Sequence, residues 1–92
     1  MKVAKKRPGE PWEFAEIENS PGAFQAEVGG DIKSFIVCSD ACLVVNKESI
    51  TLNLPFNFRW GTVHFYGTVL LVGVKGDEFG DVPLTNLRFL PE

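Results

Sequence analysis

Thr62–Val74, TVHFYGTVLLVGV, is the most apolar and most β-branched run in the chain, and Gly61 and Gly76 bracket it. Val, Thr, Phe and Tyr suit a pleated, half-buried surface, so the run reads as the central strand of a small domain. Gly67 divides it. Val63 and Phe65 alternate with Thr62, His64 and Tyr66 before the glycine, and Val69–Val72 is continuously apolar after it. A glycine inside such a run marks a bulge, a bend or a close backbone approach.

Downstream, Lys75-Gly76-Asp77-Glu78 is a turn and Phe79–Pro83 a second loop. Leu84, Leu87 and Leu90 then recur every three residues, which suits a short helix, a 3₁₀ turn or an extended tail closing the domain. Upstream, Pro55 and two Asn interrupt the apolar residues of Thr51–Trp60, so this segment is expected to be a structured loop. Before it, Ile32–Cys38 and Ala41–Asn46 form two apolar strands around a tight Ser39-Asp40 hairpin, and Asn46–Ser49 is a turn.

The first third reads strand, helix, glycine stop. Trp12–Glu18, WEFAEIE, alternates apolar and acidic residues as a half-exposed strand does, with a slip that predicts a bulge near Ala15. Ser20 is placed to cap a short helix with Pro21 at its first position; Phe24 and Val28 share the buried face, and Gly29-Gly30 ends it. At the start, a short strand at Lys2–Ala4 runs into KKRPGEP, so residues 1–10 are expected to include a loose arm with Lys5, Lys6 and Arg7 in solvent.

The 92 residues leave room for one domain, and 45% hydrophobic with 23% charged content excludes a disordered chain. A net charge of −3 is not the basic footprint of a nucleic-acid binder. No apolar stretch follows the basic residues of Met1–Arg7, so no signal peptide is expected, and no run approaches the ~20 apolar residues of a membrane span. The expected location is the cytoplasm of whatever cell makes the protein, with reduced thiols.

VGGDI (Val28–Ile32), CLVVNKES (Cys42–Ser49), LPFNFR (Leu54–Arg59), GTVLLVG (Gly67–Gly73) and GDEFGDVPLT (Gly76–Thr85) follow one another in an order that resembles domain-of-unknown-function family 3846. The resemblance spans about residues 11–90. It implies a small protein of phages, plasmids and related mobile elements, or of the gut Firmicutes and actinobacteria that carry them, which makes the expected cytoplasm that of a bacterial host, and brings no chemistry with it. Ser49 stands where the family usually has Gly, and Phe58 separates Asn57 from Arg59, which the family keeps adjacent.

Asn57, Arg59 and Trp60 are the most suggestive polar cluster: an Arg beside an aromatic can grip a phosphate or carboxylate while the ring stacks on a base. The bland alternative is a loop anchor, with Trp60 in the core and Arg59 paired to an acid. His64 is either a surface strand histidine or a ligand contact. Cys38, Cys42 and His64 fall short of the four ligands of a structural zinc site, and the thiols are expected to be buried. Glu13, Glu16 and Glu18 line an outer strand face.

The expectation is therefore an α+β single domain over residues 1–92, one helix on a mostly antiparallel, curled sheet of about five strands. Its expected function is that of a non-enzymatic binding protein of a mobile element that engages a host protein, without cofactor or metal. The alternative is a small-molecule or nucleotide-sequestering protein using Asn57, Arg59, Trp60 and His64; the fallback is an accessory domain. An exposed apolar strand edge in so small a domain favours self-association, so a homodimer also enters the expectation.

Overall fold

The computed structural model describes residues 1–88 and 90–92. Its elements run β1 (Lys2–Lys6), β2 (Glu13–Glu16), α1 (Pro21–Val28), β3 (Ile32–Cys38), β4 (Ala41–Asn46), β5 (Phe56–Trp60), β6 (Val63–Tyr66), β7 (Val69–Lys75) and β8 (Glu78–Gly80). Six strands form one open sheet in the order β2-β1-β7-β4-β3, with β8 pairing β7 beyond β1; β5 and β6 form a separate hairpin sheet. Every pairing is antiparallel. The expected helix on an antiparallel sheet is present, but the described residues make eight strands in two sheets rather than five in one.

The opening stretch explains the difference. Gly67 takes φ +77, donates its N–H to the Pro55 carbonyl at 2.8 Å, and an added Cβ would lie 2.8 Å from Leu54 Cδ1. Only glycine combines that backbone with that approach. The chain therefore turns there, and the run expected to be one strand becomes β6 in the small sheet and β7 at the centre of the large one. β7 still organises the fold. Leu70 and Val72, with Cys42 and Val44 of β4, face α1; Val69 and Leu71, with Leu43 and Val45, face the β5–β6 hairpin. Two-sided burial is why both strands read as continuous apolar runs.

The helix forms as expected. Ser20 Oγ accepts the Ala23 N–H at 3.2 Å, Pro21 opens the first turn, and the Gly29 N–H closes the last one on the Gln25 carbonyl. Phe24 and Val28 are its buried residues, and Phe24 meets Phe79 edge-on with centroids 5.4 Å apart. Buried Asn46 ties the helix end to β4 by donating to the Val28 carbonyl and accepting the Glu48 N–H.

Three other expectations are corrected. The strand expected at Lys2–Ala4 is present but runs on through Lys5 and Lys6 instead of loosening into an arm: β1 is an interior strand, with Val3 and Ala4 fully buried and Lys6 only 5% exposed. No bulge occurs at Ala15, because β1 and β2 pair in unbroken register from Lys2↔Glu16 to Lys5↔Glu13. The apparent slip between Phe14 and Ile17 arises because Ala15 and Ile17 are the residues that pack against the helix side of the core, while Phe14, on the other face, stays in solvent under Lys2 Nζ, 4.1 Å from its ring centre. Thr51–Trp60 is not all loop, since Phe56–Trp60 is β5. The closing segment lies as an irregular tail, its leucines against the hairpin side of the core and Trp12 Nε1 donating to the Pro91 carbonyl. Phe89, part of that segment, lies outside the described residues.

Candidate functional site

The β5–β6 hairpin pairs Phe58 with Phe65, Arg59 with His64 and Trp60 with Val63. Phe58 and Phe65 point inward and stack, with centroids 5.2 Å apart. The register shifts between Phe56 and Phe58, and this bulge buries Asn57 and Phe58 in succession where a regular strand would alternate. Asn57 Oδ1 accepts from Lys6 Nζ at 2.8 Å, and its Nδ2 donates to the Lys6 and Gly67 carbonyls, each at 2.8 Å. Both amide donors and the amide oxygen are engaged in joining β1 to the hairpin and to the Gly67 bend. Asn57 is an anchor, and Lys6, expected in solvent, is its buried partner.

Arg59 and Trp60 are consecutive on a strand and project to opposite faces. Arg59 and His64 lie on the exposed outer face beside Phe56, whose ring centre is 5.8 Å from those of both His64 and Tyr66. Trp60 packs inward on the core against Phe58. Asn57, Arg59, Trp60 and His64 thus divide between an anchor, an outer face and a core wall. Phe58 is the fully buried hub around which they separate.

The cysteines also part company. Cys42 is buried on the helix side of the sheet, and burial pushes its thiol above the ordinary value. Cys38, expected to be buried, is exposed, with its Sγ 3.1 Å from Asp40 Oδ1. Among the described residues, no group of three or more His, Cys, Asp and Glu side chains lies together as a metal site, and His64 is hydrogen-bonded to no Ser or Cys.

What the packing does create is a trough along β3. The hairpin covers β4 and β7 but stops short of the sheet edge, leaving three adjoining hollows of about 360, 270 and 210 Å³ that share lining residues. Phe35 and Val37 of β3 form one wall; Trp60, Val63 and Phe65 form the other. Lys33, Lys47 and His64 surround the end nearest the start of β3, and Asp40 stands at the far end beside Cys38. Lys33 Nζ lies 5.0 Å from the Phe35 ring centre, and among the described residues neither Lys33 nor Lys47 is in an ion pair. At the trough, Ile50 is 77% exposed and Val63 42%, and Ile36, 85% exposed, stands on the other face of β3 opposite Cys42.

The family described as a domain of unknown function (DUF3846) matches residues 1–89. The chain belongs to that family. No curated protein and no solved structure matches the chain. In this DUF3846 domain Leu54-Pro55 leads into β5, and Gly67-Thr68 forms the bend between the two sheets. The short motifs therefore hold the hairpin over the sheet and give the trough its second wall.

Sequence reasoning missed Lys33, Phe35, Val37 and Lys47. The signal that would have found them is the composition of Ile32–Cys38, which carries a single charge, against the acid-alternating Glu13–Glu16. No helix of the described residues is long and apolar enough to cross a membrane.

Proposed function

We propose that this protein is a non-enzymatic binding module that engages another protein through the β3 side of its sheet. In the phage or mobile-element setting that its family suggests, the partner is a host protein, and interference with host defence or regulation is the purpose. One observation carries the reading: Ile50 and Val63 stand exposed at a trough on one face, and Ile36 on the other face, of a strand that among the described residues pairs only with β4. Exposed apolar surface rimmed by charge is what protein-binding sites look like, and aromatics are their usual anchors.

The test is to recover tagged protein from its native cell and weigh the intact assembly by native mass spectrometry. A stoichiometric protein partner, lost in Ile36→Glu/Val63→Glu but kept in Phe14→Glu at the opposite edge, is expected. A partner indifferent to the first variant, or none, would sink the reading.

A small-molecule reading has one supporting observation of its own. The hollow of about 360 Å³ is ligand-sized, with an apolar floor and Lys33, Lys47 and His64 at its rim. It predicts a small added mass in the same spectrum, lost in Lys33→Ala/Lys47→Ala and retained in Arg59→Ala.

A further inference from the structure

We infer that the trough takes an extended segment of the partner, added as a strand to β3 and carrying an acidic residue beside apolar ones. The inference rests on the protein-binding reading above and specifies the class of partner. Three observations lead to it. β3 presents a seven-residue edge that pairs on one side only. Unpaired backbone groups along such an edge accept another strand, whose main-chain hydrogen bonds supply affinity. The trough lies on one face of that edge, so alternate side chains of an added strand fall onto Phe35, Val37, Val63 and Trp60.

The third observation is charge. Lys33, Lys47 and His64 crowd one end of the trough in a protein of net charge −3. Asp31 and Glu48 sit in the adjoining turns, outside its lining. Asp40 marks the other end, 3.1 Å from Cys38 Sγ. An acidic residue of the segment is therefore favoured at the Lys33 end and disfavoured at the Asp40 end, which orients the strand as well as attracting it.

A second copy of the chain meets this description less well. Another β3 brings one Lys and no carboxylate. Another β2 brings Glu13 and Glu16, but these carboxylates are already bridged by Arg7 at 3.4 Å and by the N-terminal amine at 3.3 Å. Pairing β3 with β2 of a copy is also head-to-tail and does not close into a dimer.

The experiment selects binders from a displayed library of random short peptides on the full-length protein. Hydrogen exchange then follows the β3 amides with the best synthetic peptide bound. Enriched sequences alternating apolar residues around an Asp or Glu, slowed exchange in β3, and about tenfold weaker binding to Lys33→Glu/Lys47→Glu are expected. Both lysines are exposed, so the variant folds, and a Lys-for-acid peptide should regain affinity for it.

Peptides that slow β3 exchange yet lack acids, or ignore the charge reversal, overturn the partner class and leave the β3 reading standing. Peptides that leave β3 exchange unchanged, or no enrichment at all, overturn both. Concentration-dependent association of the protein by sedimentation, abolished by Ile36→Glu, makes a second copy the occupant and overturns the inference.

Discussion

The two edges of the large sheet are built on opposite plans. β2 is four residues long, with Glu13 and Glu16 exposed, Arg7 spanning Glu10 and Glu13, and Lys2 over Phe14. Another strand approaching it meets charge and short reach, which is how natural sheets keep edges from pairing. β3 is seven residues long, with Lys33 as its single charge, Ile36 in solvent and a trough at its flank. That asymmetry, one edge protected and the other open, is the ground on which the β3 side is proposed as the binding side.

The comparison can be broken most forcefully through Asn57, which holds the hairpin that walls the trough. Asn57→Leu strands Lys6 Nζ and two buried carbonyls, so a loss of about 3 kcal/mol is expected in denaturant unfolding. An effect below about 1 kcal/mol would mean the hairpin stands without its anchor. The edges themselves are compared by truncating one Phe on each. Phe35 packs edge-on against Phe65 with centroids 5.4 Å apart, and Phe35→Ala is expected to cost about 2 kcal/mol. Phe14, 36% exposed, should cost less than about 1 kcal/mol on the same change. Equal losses would remove the structural distinction between the two edges.

A subtler probe uses the thiols. Cys38 beside the trough should be alkylated in the folded protein while Cys42 is protected, as mass mapping of a short iodoacetamide pulse would show. Because burial raises the Cys42 thiol, the folded state holds its proton where the unfolded state has lost it. Stability should therefore fall as pH rises past the ordinary thiol pKa of about 8.5, and Cys42→Ala should flatten that fall. The smallest effect is expected at Ile36. With its side chain in solvent, Ile36→Lys should leave the unfolding free energy within about 0.5 kcal/mol while abolishing partner binding. Loss of stability instead would show that Ile36 serves the fold.

Much of this was legible in the residues. The Ser20-Pro21 start, the Phe24/Val28 face and the Gly29 stop are local chemistry, and each stands where the pattern put it. The Ser39-Asp40 hairpin between two apolar strands is local too, and the family followed from five short motifs in order. Gly67 was legible as a punctuation mark, though not as the point where the chain leaves one sheet for another. The left-handed backbone of Gly67 and its hydrogen bond to the Pro55 carbonyl, beside Leu54, mark that turn, and both partners belong to a different segment.

The candidate site was mostly not legible. Asn57, Arg59, Trp60 and His64 are near in sequence, and a loop would have let them converge. A strand forces neighbours to opposite faces, so the same spacing separated them. Lys6 and Asn57 meet across 51 residues, a pairing that no local pattern announces. Which of the apolar strands lies at the centre and which at the edge was likewise closed to inspection, since β3 and β4 look alike as runs. By itself the sequence determined the helix, its caps, the strand-rich character and the family, because these follow from backbone propensity and short-range order. Tertiary structure alone decided that β4 is buried on both faces, that β3 is left open, and that a trough lies beside it, because edges exist only once the strands have been placed in order.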